Sequence, residues 1–213
     1  MRFACSLAAA GRYTQLACEP GEYDGHPPVP FLKIANRIRF LNADRFAVAS
    51  ALLFSKYISG SFATEKAIGP ATVAALRRFL EPGKPLFEDV SLVPAAIPVG
   101  DRDAVLLVDP EDREPEGCLA VRVGFADDQA FSSYLTPKEI RFATNARLFA
   151  QAGHERTSAL IALTALFAED FSIRRILSLR TRHLDQQQID RQRQLLASVN
   201  IALEMIDDGG FTH

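Results

Sequence analysis

Residues 159–168 have the sequence ALIALTALFA, the longest apolar run in the chain, interrupted by a single threonine. Together with the preceding ERTS, they predict a helix over residues 155–168 that is apolar on all sides from residue 159, which is typical of a helix buried at the centre of a domain. Leu160, Leu163 and Phe167 fall at helical spacing along it. Ten residues are too few to cross a bilayer, which takes about 20. The run therefore predicts a protein core and not a membrane span.

The sequence upstream of this run predicts another helix. The motif TPKE at residues 136–139 matches a capping box with proline at the first helical position. A helix is therefore expected over residues 136–152, and Gly153 stands where a helix commonly ends.

The sequence downstream of the run is also predicted to be helical. Residues 172–183 form a basic amphipathic pattern, and Asp185 is a suitable cap for a final helix that extends to about residue 205. The region 129–213 is therefore predicted to contain about four helices.

Residues 1–128 differ from the rest of the chain in composition and pattern. They contain eleven of the twelve prolines, and short β-type runs alternate there with two helical patterns. The helical patterns begin at Asn42 or Asp44 and at Pro70. The runs predicted as strands are 2–8, 13–18, 62–68, 90–93, 104–108 and 118–123. The predicted fold class is α+β: an N-terminal mixed layer of short strands with two helices (1–128), packed as one unit with the helical region (129–213).

Composition narrows the class of protein. The chain has 213 residues, of which 23% are charged, a composition typical of globular proteins. Its formal net charge of −2 excludes a positive electrostatic field over the whole chain that would attract nucleic acid. The three cysteines form no CxxC motif and favour a reducing compartment. The first ten residues have too short an apolar stretch for a signal peptide. We therefore expect a cytoplasmic protein with no membrane association, and the excess of arginine over lysine favours a bacterial, GC-rich genome.

Sequence motifs with a specific catalytic or cofactor-binding mechanism are absent. The chain contains no phosphate-binding G-x-x-x-x-G-K-[ST], no dinucleotide-binding G-x-G-x-x-G after a strand, no G-x-S-x-G and no metal-binding H-E-x-x-H. We therefore expect no cofactor and no metal. The absence of these catalytic motifs favours a non-catalytic protein.

One weak catalytic candidate is the proline-rich loop that contains Asp24 and His26. Functional residues concentrate on loops, and these two side chains would suit an acid–base pair in a small-molecule enzyme. The simpler interpretation is a solvated loop in which the histidine stacks on a proline.

A second weak candidate is the pair Arg147 and His154, which are spaced as R-x6-H. This spacing resembles the Arg–His pair of helical ribonucleases of the HEPN type. The resemblance implies that the arginine steadies a phosphate while the histidine acts on the 2′-hydroxyl or the leaving group. Leu148 follows the arginine where that family usually has a polar residue, and Gly153 interrupts the helix. The simpler interpretation is that both residues are structural.

Charge is distributed unevenly along the chain. Residues 101–128 sum to −6, centred on an acidic loop at 109–117, whereas residues 171–194 sum to +4 and contain no aromatic residue after residue 171. The start of the final helix is polar on all sides, so it either projects into solvent or meets a polar partner. The arginines proposed for interaction are Arg174, Arg175, Arg180, Arg182, Arg191 and Arg193.

Three functional hypotheses follow. The first is a non-catalytic bacterial cytosolic subunit that acts by protein–protein docking, with another protein or with copies of itself. The second is an RNA-binding or RNA-cleaving module that uses Arg147, His154 and the arginines of residues 174–193. The third is a small-molecule enzyme centred on Asp24 and His26.

The two N-terminal strands make a prediction about Cys5 and Cys18. If Gly11 and Arg12 form a two-residue turn, Ala10 pairs with Tyr13 and the two cysteines lie directly opposite each other. Three interpretations remain open: two reduced core thiols, a redox-labile disulfide, or half of a metal site.

Overall fold

The computed structural model describes residues 1–8, 13–81, 83–94, 96–107, 117–125, 134–148, 153–179 and 185–206. Within these ranges, four α-helices pack on one mixed β-sheet. The helices are α1 (Ala43–Phe54), α2 (Pro70–Phe79), α3 (Gly153–Leu166) and α4 (Gln186–Ala197). The strands are β1 (Arg2–Ala8), β2 (Tyr13–Glu19), β3 (Phe31–Ile34), β4 (Ser61–Thr64), β5 (Leu86–Phe87), β6 (Arg102–Leu107), β7 (Leu119–Phe125), β8 (Tyr134–Leu135), β9 (Glu139–Thr144), β10 (Ile173–Leu179) and β11 (Ala202–Ile206).

The sheet joins a parallel half to a mixed half. Ten strands run in the order β11-β10-β6-β7-β9-β3-β2-β1-β4-β5, and β8 pairs with β9 beside this path. The first five strands of that order are mutually parallel. The pairs β9–β3, β3–β2 and β2–β1 are antiparallel, and β4 and β5 run parallel to β1.

The predicted α+β architecture with a C-terminal region of about four helices is wrong. Among its described residues, the region 129–213 contributes two helices, α3 and α4, and the strands β8 to β11. Strand β9 pairs with β7 and strand β10 pairs with β6, so the sheet continues through both parts of the chain. The fold is therefore α/β-like.

The capping-box motif at residues 136–139 forms the turn of the β8–β9 hairpin. The hydroxyl of Thr136 accepts a hydrogen bond from the amide of Glu139 at 2.9 Å, as it would at a helix start. The Thr136 amide, however, donates to the Glu139 carbonyl at 2.8 Å, which closes a tight turn. The chain then continues as a strand whose Ile140 and Phe142 are both fully buried. The same local hydrogen bond thus serves a hairpin turn, and the predicted helix 136–152 is wrong.

Strand β10 was predicted as a helix because a bulge disguises its alternation. Ile173 and Ile176 are three residues apart, yet both are buried in the main core. The pairing of β10 with β6 shifts register between Ile173 and Arg175, which leaves Arg174 as an extra residue. The bulge therefore brings two apolar side chains at a helix-like spacing to one face of a strand.

The final helix begins as predicted but ends earlier. Asp185 and Gln188 form the capping box of α4, with the Asp185 carboxylate accepting from the Gln188 amide at 2.7 Å. Asn200 has a positive φ of 58°, which terminates the helical segment, and β11 follows. The helix does not project into solvent, because Ile189 and Gln192 are buried.

The helix predicted over residues 155–168 is α3, which spans Gly153–Leu166, and it lies at the centre of the core as predicted. Leu160, Leu163 and Phe167 are each no more than 2% exposed. The helices predicted after Asn42 and at Pro70 are confirmed as α1 and α2, and the Asn42 side chain accepts from two amides at the start of α1.

A side chain reinforces the joint between the two halves of the sheet. Strands β3 and β9 share one backbone pair, Ile34 with Thr144. The Asn145 side chain accepts from the Lys33 amide at 2.7 Å and donates to the Phe31 carbonyl at 3.2 Å. The amide group of Asn145 thereby extends a backbone ladder that is short at this point.

The register of the N-terminal hairpin separates Cys5 from Cys18. Ala8 pairs with Tyr13, so Cys5 lies opposite Leu16 while Cys18 lies opposite Phe3. The predicted direct pairing is wrong by two residues, and the proposed turn residues lie outside the described part of the chain. A two-residue shift keeps every side chain on its predicted face, so the apolar pattern cannot distinguish the two registers. Diagonal neighbours stand about 7–8 Å apart, too far for a disulfide.

Purified protein kept without reductant should therefore retain all three thiols. Burial raises the pKa of both Cys5 and Cys18 to about 11, with the charge of Glu65 adding to the shift at Cys5. In the native state at pH 8, these two thiols should react with a thiol reagent on the order of 100-fold more slowly than an exposed cysteine. Recovery of only one thiol after unfolding would contradict the register.

Candidate functional site

The parallel half of the sheet directs two helix starts to one edge. Because β9 and β10 are parallel, α3 and α4 both begin at the edge where these strands end. In open α/β sheets, ligands bind in crevices at this carboxyl edge. Helix α1 ends at the same place, as the contact of Lys56 with Glu155 at the start of α3 shows.

A polar cleft of about 220 Å³ lies between the end of α1 and the starts of α3 and α4. Leu52 and Phe79 provide part of its wall. The polar side chains that line it are Ser55, Lys56, Glu155, Ser158, Gln188, Arg191 and Gln192. Its volume lies below the 300–1,000 Å³ that is common for sites of drug-sized ligands, so the cleft suits a small molecule.

The Lys56–Glu155 ion pair forms one side of the cleft. The ammonium Nζ lies 2.7 Å from the Glu155 carboxylate and 5.2 Å from the centre of the Tyr57 ring. Burial alone would lower the pKa of Lys56, but hydrogen bonding to Glu155 and Tyr57 raises it overall. Lys56 is therefore a fixed positive charge, and the negative charge of Glu155 beside it compensates that charge.

Gln192 and Arg191, which also line the cleft, have unused hydrogen-bonding capacity. Gln192 is 4% exposed, and its Nε2 donates to the Ser158 hydroxyl at 2.9 Å. Its Oε1 is buried and accepts no hydrogen bond. Arg191 is partly exposed and makes no ion pair with any residue in the described ranges. Lys56 and Gln192 could not be recognised from the sequence, because the cleft joins three segments that are far apart in the chain.

The backbone places Arg147 and His154 on different elements. Arg147 lies in a short 3-10 turn over Ala146–Leu148, and His154 is the second residue of α3. Arg147 follows β9 and His154 lies at the start of α3, so the backbone of both is at the carboxyl edge. They do not share one helix, and the surrounding fold is a large sheet with flanking helices.

Asp24 and His26 differ in burial, because Asp24 is buried and His26 is exposed to solvent. Asp24 is 7% exposed, and its carboxylate accepts from the amides of Ser59 at 2.8 Å and Gly60 at 2.9 Å. It also accepts from the Gly21 amide at 2.9 Å and forms an ion pair with the amino group of Met1. His26 is exposed and forms no ion pair with Asp24. The carboxylate therefore ties the loop to the segment after α1.

Most of the proposed interaction arginines that the structure describes are paired with acids. Arg174 and Arg175 lie on β10 and both contact Asp103, and Arg175 also contacts Glu204. The hydrogen bonds from Arg175 hold the pKa of Asp103 below its usual range, with Arg174 adding to the effect. These pairs leave little net positive charge on that surface.

The remaining arginines divide into two groups. Arg193 contacts Asp190 at 3.3 Å and donates to the Leu203 carbonyl at 3.2 Å. Arg191 lines the cleft. Arg180, Arg182 and residues 109–116 of the acidic loop lie outside the described part of the chain.

Among the described residues, five of the ten exposed large apolar side chains lie in the segment 86–99, which we call the apolar segment. Leu92 is 94% exposed, Val99 73%, Val93 72% and Leu86 69%. The strand predicted at 90–93 is wrong: Val90 makes an isolated bridge to Ile68, and the chain then leaves the sheet. The apolar residues at 90–93 that predicted a buried strand are thus exposed to solvent beside the edge strand β5.

Comparisons with known protein families, with curated proteins and with solved structures found no match. None of the helices in the described ranges has the length and apolar character needed to cross a bilayer. In the same ranges, no three histidine, cysteine or acidic side chains converge as metal ligands would.

Proposed function

We propose that the chain is a non-catalytic subunit of the bacterial cytoplasm that docks onto a second protein through the apolar segment. The observation that carries the proposal is the exposure of Leu92 and Val93, two adjacent aliphatic side chains that contribute almost nothing to the core. Several exposed aliphatic side chains within one short segment are candidates for an interaction site, because large apolar surfaces are otherwise buried. The arginine surface contributes less than the sequence suggests, because its charges are paired with acids.

The partner is best described as an apolar groove with a basic rim. The charged residues of the apolar segment are Glu88 and Asp89, both acidic. Glu88 forms an exposed ion pair with Arg2 at 3.4 Å, whereas Asp89 makes no ion pair within the described ranges. In a symmetric contact between two copies, the same patch meets itself, so these carboxylates would face each other. Like charges at an interface are unfavourable, whereas a basic rim on another protein would complement them. The acids equally disfavour an anionic membrane surface.

The test is affinity capture from an extract of the native host, followed by reconstitution of the complex from purified components. The variant Leu92→Asp with Val93→Asp should weaken binding to the reconstituted partner by at least about 30-fold, because it places two charges in the contact. The thermal midpoint should change little, since both side chains are exposed. Calorimetry gives the dissociation constant.

The matched control is Leu7→Asp with Leu135→Asp, whose side chains are 46% and 45% exposed elsewhere on the sheet. This control should bind the partner as the unmodified chain does. Equal weakening by both double variants would contradict the proposal. A homodimer that the Leu92/Val93 variant dissociates would also contradict it, because the occupant would then be a second copy.

A further inference from the structure

The cleft at the carboxyl edge has a charge and a hydrogen-bonding group that no residue in the described ranges satisfies. Lys56 and Glu155 cancel each other in charge, whereas Arg191 has no such partner. The positive ends of the α3 and α4 dipoles add to the potential there. The net potential of the cleft is therefore positive, which suits an anion.

The second observation is the Oε1 atom of Gln192. A buried polar atom without a hydrogen bond costs free energy, and such atoms are rare in native proteins. Gln192 lines the cleft, its Oε1 is buried without a hydrogen-bond partner, and the Nε2 of the same amide is already bonded to Ser158. An amide oxygen accepts, so the missing group is a donor.

We infer that the cleft binds a small organic anion that carries a hydroxyl group next to its phosphate or carboxylate. The anionic group would lie against Arg191, and the hydroxyl would donate to Gln192 Oε1. Arg191 and Gln192 both line the cleft, so one short ligand can contact both. The inference is independent of the docking proposal, because the cleft and the apolar segment have no residue in common.

The experiment is calorimetric titration of the whole chain with four probes: glycerol 3-phosphate, glycerate, inorganic phosphate and glycerol. We expect saturable binding of one equivalent of glycerol 3-phosphate or glycerate. Inorganic phosphate should bind more weakly, since it offers the anion without the neighbouring hydroxyl. Glycerol should not bind measurably. The comparison of the first two probes tells whether the ligand is a phosphate or a carboxylate.

Two variants test the residues. Arg191→Gln should weaken binding of the better probe by about tenfold or more, because it removes a charge-assisted hydrogen bond. Gln192→Met preserves the length of the side chain, and it should abolish the preference for that probe over inorganic phosphate. If Gln192→Met fails to fold, the affinity of the Arg191→Gln variant still tests the inference, because Arg191 is partly exposed and its replacement should not prevent folding.

The control is Arg174→Gln, which removes the same charge at the start of β10, the length of a strand away from the cleft. It should leave the dissociation constant within about twofold, a change too small to matter beside a tenfold effect. Absence of saturable binding by either hydroxylated probe would overturn the inference. Equal weakening by the Arg174 and Arg191 variants would overturn it too, as would equal affinity of the intact chain for the hydroxylated probes and inorganic phosphate.

Discussion

Replacing Phe167 by alanine is expected to lower the free energy of unfolding by about 3–5 kcal/mol. The Phe167 ring is fully buried at the end of α3. Its centre lies 4.8 Å from that of Phe142 on β9 and 6.2 Å from that of Phe171. Truncation would remove contacts between the central helix and the sheet and would leave a cavity. For a chain of this size, the melting temperature should fall by about 6–20 °C.

The matched control is Phe40→Ala, which deletes the same atoms from a side chain that is 57% exposed. It should change the free energy of unfolding by no more than about 0.5 kcal/mol. Urea unfolding followed by circular dichroism measures both variants. Equal stability of Phe167→Ala and the unmodified protein would mean that α3 is not the core of the fold.

Replacing Asp24 by asparagine should destabilise the protein at neutral pH by about 3–5 kcal/mol, the range for removing one partner of a buried ion pair. The side chain of Asp24 is fully buried within its ion pair with the Met1 amino group. Three backbone amides also donate to its carboxylate, and each would lose a charged acceptor.

The loss should depend on pH. Burial alone would raise the pKa of Asp24, but hydrogen bonds from the Met1 amino group and from the amides of Ser59, Gly60 and Gly21 outweigh it and lower the pKa to about 2. Because the folded-state pKa lies below the unfolded one, the stabilisation is complete above about pH 4 and disappears as the pH falls towards 2. This carboxylate should contribute about 2.5 kcal/mol of acid-sensitive stability.

The measurement compares Asp24→Asn with the unmodified chain by urea unfolding at several pH values between 2 and 7. The difference should be largest near neutral pH and smaller below pH 3. Asp190→Asn is the control, since Asp190 forms an exposed pair with Arg193 and should change stability by about 1 kcal/mol or less. A difference that is the same at every pH would contradict the assigned role of the Asp24 carboxylate.

Local signals in the sequence were sufficient where one segment decides its own structure. Asn42 caps α1, Pro70 begins α2 and Asp185 caps α4, and each signal acts within a few residues of the element that it starts. The apolar run of α3 was also sufficient, because a helix with no polar face must be surrounded by protein.

The sequence failed where a local pattern has two structural solutions. The hydroxyl of Thr136 makes the same hydrogen bond in a hairpin turn as in a helix cap, and only the distant pairing of β9 with β7 selects the turn. The bulge at Arg174 imitates helical spacing for a similar reason. Asn200 was a usable signal, because asparagine is common at positive φ after a helix.

The candidate site was harder to predict than the fold. Lys56, Glu155 and Gln192 come together only because α1 is antiparallel to α3 and because α3 and α4 begin at the same edge. No spacing along the chain encodes that arrangement. The apolar residues of the apolar segment are evident in the sequence, but the same residues equally predict a buried strand. They are exposed only because the segment lies beside the edge strand β5.

The most direct test of the docking proposal is the native mass of the protein in an extract of its own host, measured by size-exclusion chromatography with light scattering on the affinity-isolated chain. A complex of defined stoichiometry should elute well above the 23.4 kDa of the single chain. The Leu92→Asp, Val93→Asp variant should return to the mass of the single chain. An unmodified protein that elutes at the mass of the single chain under these conditions would contradict the proposal.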